Sequence, residues 1–168
     1  MKKTLIVVDM QNDFIDMALG TKEAVAIVPN VKAKIKEYAD QGCEIIYTRD
    51  THFENYLETP EGKKLPVPHC IKGTKGWEIA DGLYIDGCKI IDKPNFGWPN
   101  WREEKLEEVE IIGLCTDICV VSNALIIKAN FPDASVKVDA SCCAGVTPAT
   151  HDASINTMRM CQIDIIGE

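Results

Sequence analysis

Glu110-Ile-Ile-Gly-Leu-Cys-Thr-Asp-Ile-Cys119 is the stretch that decides the fold of this 168-residue chain. Its apolar residues Ile111, Ile112 and Leu114 are typical of a buried strand, and the Thr-Asp pair after them is a helix-start signal. The pattern predicts a strand, a tight turn and a helix, with Cys119 in the first helical turn. Unpaired N–H groups and the helix dipole favour a thiolate there, so we expect Cys119 to have a lowered pKa and to act as a nucleophile. A buried structural cysteine is the alternative that this segment leaves open.

Strand-like and helix-like segments alternate along the whole chain. The predicted strands span residues 4–9, 44–48, 89–91, 109–114, 135–138 and 163–166, and the predicted helices span 28–41, 101–108, 118–129 and 147–160. Strands that alternate with helices form parallel sheets with right-handed crossovers. The sequence therefore predicts an α/β fold: a single domain (1–168) with a doubly wound parallel sheet and helices on both faces.

Composition excludes several classes of partner. The net charge of −8 argues against nucleic acid, and apolar runs such as Leu5–Val8 are too short for a membrane span or a signal segment. We therefore predict a cytoplasmic protein. None of the eight cysteines has Cys-x-x-Cys spacing, which favours reduced thiols. Cys43, Cys88 and Cys161 are predicted core residues, and Cys142-Cys143 is predicted to pack at a loop.

Two further strands end at reactive side chains. Asp9 follows the apolar run Leu5–Val8, and Lys93 follows the strand at 89–91. Because ligands gather beyond the carboxyl ends of the strands in an open parallel sheet, we expect both side chains to meet Cys119 there. Cys119 would attack a carbonyl, Asp9 would move its proton, and Lys93 would stabilise a charged partner. Taken singly, Asp9 as a turn residue and Lys93 as a solvated residue remain alternatives.

The segment from residue 50 to about 84 lacks periodicity, and irregular segments of this length are usually functional. Asp50 and His52 would face one side of an extended chain, and His69 follows on a proline-stiffened loop. Two histidines and one carboxylate suit zinc, iron or manganese and leave positions open for substrate. Surface or hydrogen-bonding histidines are the alternative. His151, in the first turn of the last predicted helix, is expected to pack or cap.

Three of these segments resemble the motifs of the isochorismatase-like cysteine hydrolases: Asp9-Met-Gln-Asn-Asp-Phe14, Lys93 after its strand, and Gly113-Leu-Cys-Thr-Asp-Ile-Cys119-Val. The resemblance implies a Cys119–Asp9–Lys93 triad that works through a thioester. It also implies a cis peptide bond before Cys115 and an oxyanion hole formed by the backbone N–H groups of Cys115 and Cys119.

Within that family, Asp-x-His followed by Pro-x-His-Cys-x-x-Gly-Thr-x-Gly resembles the metal loop of the nicotinamidase branch. The resemblance implies that Asp50, His52 and His69 hold a divalent ion that binds the pyridine nitrogen of nicotinamide. Zinc is the expected ion, with iron or manganese as alternatives. Some relatives add a fourth ligand, for which Glu61 is the candidate and Glu58 the second choice, although both also suit a solvated loop.

Aromatic residues are the candidates for substrate contact. Phe14, Phe96 and Trp98 could clamp a flat ring, although a core or lid role is open for the last two. Together the patterns predict a homo-oligomeric, metal-containing cysteine amidohydrolase acting on nicotinamide or a related small amide. The alternatives are an amidase for a ureido or carbamoyl compound and a non-catalytic metal-binding interaction protein.

Overall fold

The computed structural model describes all residues 1–168 and contains one six-stranded parallel sheet of order β3-β2-β1-β4-β5-β6. The strands are β1 (Lys3–Val8), β2 (Glu44–Asp50), β3 (Lys89–Lys93), β4 (Glu108–Leu114), β5 (Ser135–Ala144) and β6 (Asp164–Ile166). The chain runs outward from β1 to β3 and then returns to the centre at β4. The strand order therefore reverses between β1 and β4, where doubly wound sheets place their ligand sites.

Helices cover both faces of the sheet. They are α1 (Asn12–Ile15), α2 (Lys22–Asp40), α3 (Pro60–Lys64), α4 (Val121–Asn130) and α5 (Pro148–Met160). Side chains of β1 alternate between two apolar clusters, so that Leu5 packs with α2 and Ile6 packs in the cluster that includes α4 and α5. The predicted fold is confirmed. No helix in the chain combines the length and the apolar character needed to cross a membrane.

The short helices α1 and α3 were not predicted, β5 continues to Ala144 beyond the predicted strand at 135–138, and two predicted helices differ clearly from the observed ones. The predicted helix at 28–41 begins earlier, because the hydroxyl of Thr21 accepts a hydrogen bond from Ala24 N and caps α2, while Pro29 is tolerated inside it. The predicted helix at 101–108 is wrong: only Trp101–Glu103 forms a single 3₁₀ turn. Its Trp101 indole is fully buried and bonded to Asn123, and the chain then extends to join β4.

All eight cysteines are free thiols. Cys142 and Cys143 are buried within β5, so they pack as predicted but in a strand. The prediction of a core position is wrong for Cys161, which is exposed at the end of α5, and Cys43 and Cys88 are only half-buried. Cys161 follows the last residue of α5, so its side chain lies at the edge of the core. The apolar residues next to it in sequence do not reveal this position.

Candidate active site and metal centre

Asp9 and Lys93 form a fully buried ion pair at the carboxyl edge of the sheet. Lys93 Nζ lies 2.6 Å from Asp9 Oδ2, and Thr48 donates a hydrogen bond to Asp9 Oδ1 at 2.7 Å. The geometry of the lysine leaves Asp9 Oδ2 without a well-formed hydrogen bond. Asp9 also has a φ of +48°, a region that costs a non-glycine residue free energy and that is found at functional sites.

Cys119 is the third member of this group, which we call the Asp–Lys–Cys cluster (Asp9, Lys93 and Cys119). It is buried in a π-helical turn, Thr116–Val120, between β4 and α4. Cys119 Sγ lies 3.4 Å from Lys93 Nζ. The structure therefore brings together the three residues that the sequence predicts to converge. A π-helical turn of this kind is frequent at functional sites.

The Thr-Asp pair before Cys119 does not cap the helix as predicted, because Cys115 is the N-cap residue. Thr116 Oγ1 is hydrogen-bonded to His151 Nδ1 at 2.7 Å instead, and Asp117 accepts a hydrogen bond from Val146 N. The turn is thereby anchored to the segment that enters α5, which gives His151 a packing role. The peptide bond before Cys115 is cis, as the resemblance implies.

The close contact of β4 with β1 requires a glycine before this turn. Gly113 has a φ of +121°, and a Cβ atom there would lie 2.1 Å from the carbonyl oxygen of Val8. Any larger residue would push apart the two strands that deliver Asp9 and Cys119.

The pKa shifts in the Asp–Lys–Cys cluster contradict the prediction of a lowered pKa for Cys119. Burial raises the pKa of the Cys119 thiol well above its ordinary value, and the Asp9 carboxylate adds to this effect more than Lys93 opposes it. Burial also raises the pKa of Asp9, although Lys93 lowers it. Burial lowers the pKa of Lys93, but attraction to Asp9 and Cys119 outweighs this and leaves it raised. Burial thus favours the neutral form of the Cys119 thiol and makes the Asp9 carboxylate more basic, whereas the sequence predicted a lowered thiol pKa.

A second group, the histidine cluster (Asp50, His52, Glu61 and His69), lies beside the first. Its potential ligand atoms all lie within 4.8 Å of one another. His52 Nε2 is 2.9 Å from Asp50 Oδ2 and 3.3 Å from Glu61 Oε2, while His69 Nε2 is 3.5 Å from Asp50 Oδ2. The second-choice residue Glu58 is exposed and outside the cluster.

The electrostatics of the histidine cluster favour a cation. Asp50 Oδ1 is buried and has no hydrogen-bond partner. The pKa of Asp50 is lowered, because the hydrogen bonds of both histidines outweigh its burial. Burial raises the pKa of Glu61. A buried carboxylate oxygen without a partner is stabilised by a cation, and the two imidazole and two carboxylate donors suit a divalent ion.

Two residues that the sequence reasoning did not select support this cluster. Gln11 accepts a hydrogen bond from Asp50 N and donates one to Asp50 O, both at 2.8 Å. Asp13 Oδ2 accepts one from Cys70 N, next to His69. Both residues belong to the motif Asp9–Phe14 after β1. Polar residues that directly follow a buried strand need hydrogen-bond partners, and this pattern could have identified them from the sequence. His69 Nδ1 lies 2.8 Å from Val67 O, which orients Nε2 towards the cluster.

One cavity of about 350 Å³ is bordered by both clusters, a size typical of small-molecule sites. The sequence-predicted residues in its lining are Phe14, Asp50, Glu61, His69, Phe96, Cys115 and Cys119. Trp98 is not among them. It packs against the apolar core, the alternative role that the sequence leaves open, and its backbone N–H donates a hydrogen bond to Asn123 Oδ1. Apolar lining by Leu19, Leu65 and Ile118 was not predicted, since only the fold brings these residues together.

Fold and site together define a doubly wound α/β protein with its ligand cavity at the carboxyl edge of the sheet. The family model named Isochorismatase domain matches residues 3–167, and the chain belongs to this family.

Known relatives cover nearly the whole chain. The nicotinamidase/pyrazinamidase of Mycobacterium tuberculosis is 26% identical, with 98% of each chain covered. A protein of Arabidopsis thaliana named probable inactive nicotinamidase is 30% identical, with 92% of this chain and 87% of the relative covered. Among solved structures, a pyrazinamidase of Pyrococcus horikoshii in complex with zinc superposes with a TM-score of 0.84, 26% identity and complete coverage of both chains.

Proposed function

We propose that this chain is a metal-dependent cysteine amidohydrolase that converts nicotinamide to nicotinate and ammonia. The observation that carries the proposal is the shared cavity, which is lined by Cys119 and also by Asp50 and His69. A flat aromatic carboxamide suits this arrangement, because its amide carbon can face the thiol while its ring nitrogen faces the histidine cluster. The relatives named nicotinamidase or pyrazinamidase support the same substrate class.

Attack on the amide uses the Asp–Lys–Cys cluster. Cys119 Sγ forms a bond to the carboxamide carbon while its proton passes to the carboxylate of Asp9. Lys93 remains charged and stabilises the negative charge that moves between carboxylate and sulfur. The backbone N–H groups of Cys115 and Cys119, at the border of the cavity, would hold the oxyanion.

Two further bond changes complete the reaction. The carbon–nitrogen bond breaks, Asp9 returns its proton to the departing amine as ammonia, and a thioester remains on Cys119. Water then attacks the thioester carbon while Asp9 again accepts the proton. The carbon–sulfur bond breaks, the acid is released and the Cys119 thiol takes back the proton.

The residues of the histidine cluster fit a divalent cation, since Asp50 Oδ1 is buried without a partner and four donor atoms converge. We propose that Asp50, His52, His69 and Glu61 hold it, with zinc as the expected ion and iron or manganese as alternatives. When bound, the ion supplies a Lewis acid that anchors a pyridine nitrogen.

Ammonia release from a panel of small amides tests the proposal. We expect nicotinamide to be the best substrate, followed at a distance by benzamide, which keeps the flat ring and the carboxamide but lacks the ring nitrogen. The difference should shrink in His52→Ala, mainly through a higher KM for nicotinamide, because an anchor contributes to binding. Equal use of both amides by the wild type contradicts anchoring. If a ureido or carbamoyl compound is the best substrate in the panel, the assignment of nicotinamide as the substrate is wrong.

A non-catalytic protein is the second candidate, because one relative is named probable inactive nicotinamidase. Failure of the metal-loaded wild type to release ammonia from any amide in the panel would favour it. Cytoplasmic location and homo-oligomeric assembly stay predictions from the sequence.

A further inference from the structure

Asn123 is a fully buried residue on α4 whose side-chain amide uses its whole hydrogen-bonding capacity. Its Oδ1 accepts hydrogen bonds from Trp98 N at 2.8 Å and from Trp101 Nε1 at 2.9 Å. Its Nδ2 donates to Phe96 O at 3.1 Å and to Cys119 O at 2.8 Å. Two donors and two acceptors surround the amide, so its orientation is determined by its partners.

Three of these partners belong to two segments of the candidate active site, whereas Trp101 lies outside both, in the 3₁₀ turn Trp101–Glu103. One is the turn of Cys119, and the other is the loop at 95–98 that follows Lys93. The loop also meets the cluster directly, because Lys93 Nζ donates to Asn95 O at 3.1 Å, and Phe96 borders the cavity. The loop lies close against α4, since a Cβ atom on Gly97 would come within 2.5 Å of Ile126 Cδ1.

We propose that Asn123 is a positioning residue that fixes the separation of Cys119 Sγ and Lys93 Nζ by linking the nucleophile's turn to the loop that holds the lysine. It acts through backbone carbonyls and does not contact the substrate. The inference rests on the proposed function, in which Cys119 and Lys93 carry out the chemistry. Displacement of a reacting group by about 1 Å lowers rates roughly 100-fold, so a link of this kind affects turnover strongly.

Asn123→Asp and Trp101→Phe form a matched pair of variants. The aspartate keeps an oxygen towards Trp98 N and Trp101 Nε1 but places a second oxygen against the carbonyls of Phe96 and Cys119. Trp101→Phe removes a hydrogen bond from the same amide without touching the carbonyl of Cys119 or of Phe96. Both variants should have a lower Tm, because each disturbs a buried hydrogen bond.

Only the Asn123→Asp variant should lose kcat, by about 10- to 100-fold per folded molecule, with a smaller change in KM. Trp101→Phe should keep a kcat close to that of the wild type. Equal kcat values per folded molecule in the two variants would show that Asn123 has only a structural role and would overturn the proposal.

A second measurement does not require a substrate. The rate at which iodoacetamide alkylates Cys119, followed by peptide mass, should fall in Asn123→Asp and stay near the wild-type rate in Trp101→Phe, because a thiolate displaced from Lys93 loses its cation. Slow alkylation in Asn123→Asp together with no ammonia release by the wild type would support the positioning role and reject the proposed function. Unchanged alkylation of Cys119 in Asn123→Asp overturns the positioning role.

Asn123→Ser covers the case in which Asn123→Asp fails to fold. The shorter side chain removes the hydrogen bonds to the carbonyls of Phe96 and Cys119 without placing a charge beside them. A lower kcat and slower alkylation of Cys119 are again expected. Wild-type values for both in a folded Asn123→Ser protein would overturn the proposal.

Discussion

The two clusters that border the cavity differ in how their charges are balanced. In the Asp–Lys–Cys cluster the buried Asp9 carboxylate has the Lys93 ammonium 2.6 Å away, so the charges are paired within the protein. In the histidine cluster two carboxylates lie against two imidazoles with no ammonium group in direct contact, and Asp50 Oδ1 has no hydrogen-bond partner. Removing an uncompensated carboxylate from water is costly. The charges of the first cluster are therefore paired within the protein, whereas the second holds negative charge that a bound cation would balance.

The two clusters also differ in the secondary structure that holds their residues in place. Asp9 follows β1, Lys93 ends β3 and Cys119 follows β4, so the sheet itself sets their spacing. In the histidine cluster only Asp50 ends a strand, while His52 and His69 lie in loops and Glu61 lies in the short helix α3. We therefore expect kcat to depend mainly on the Asp–Lys–Cys cluster, and the affinity for metal and substrate to depend mainly on the histidine cluster.

The largest expected effect is the loss of turnover in Cys119→Ala, by at least about 10³-fold, because no other group supplies the nucleophile. Metal content and Tm should stay close to those of the wild type, since the histidine cluster does not depend on the thiol. Ammonia release, elemental analysis and thermal unfolding measure the three quantities. Near-wild-type turnover in Cys119→Ser would show that the thiol is not the nucleophile.

Loss of the metal should follow when either imidazole is removed. His52→Ala and His69→Ala should both reduce metal content to a small fraction of one ion per chain, while Cys119 keeps its alkylation rate. In the wild type, acidification through the histidine range should release the ion, because protons compete for the ring nitrogens. A full metal content in His69→Ala, together with no metal in His52→Ala, would show that the two histidines do not share one metal site.

The fold and the Asp–Lys–Cys cluster could be predicted because their signals are local. Apolar runs end at Asp9, Lys93 and Cys119, and parallel strands bring such ends to one edge. The sequence alone does not separate a clamp role of Trp98 from a core role, because the hydrogen bond of its backbone to Asn123 joins segments that are distant in sequence. The direction of the Cys119 pKa shift was also missed. A helix start in sequence does not reveal burial, and burial is the largest contribution here.

That correction leads to a prediction about thiol reactivity. Burial raises the pKa of Cys119, and each unit lowers the thiolate fraction at neutral pH about tenfold, so the exposed Cys161 should be labelled first in the free enzyme. Labelling of Cys119 should keep increasing with pH beyond about 9.5, where an ordinary thiol with a pKa of about 8.5 is almost fully ionised. Peptide mapping over a pH series measures both, with Cys161→Ser as the control that removes the fast phase. Cys119 labelled first at neutral pH would restore the lowered pKa expected from the sequence.

The smallest effect concerns the fourth candidate ligand. Glu61→Gln removes one negative charge but keeps the size of the side chain, so metal affinity should fall roughly tenfold, as expected where ligand charge tunes affinity. Glu58→Gln is the matched control, because that exposed residue lies nearby in sequence but outside the histidine cluster. Competition with a chelator measures both affinities. Since Glu61 Oε2 lies 3.3 Å from His52 Nε2, its loss should weaken the ion's hold without changing the kcat of fully loaded enzyme. Equal affinities in the two variants would remove Glu61 from the site and leave Asp50, His52 and His69 as the ligands. A large loss of kcat in fully loaded Glu61→Gln would mean that the histidine cluster contributes to the chemistry itself.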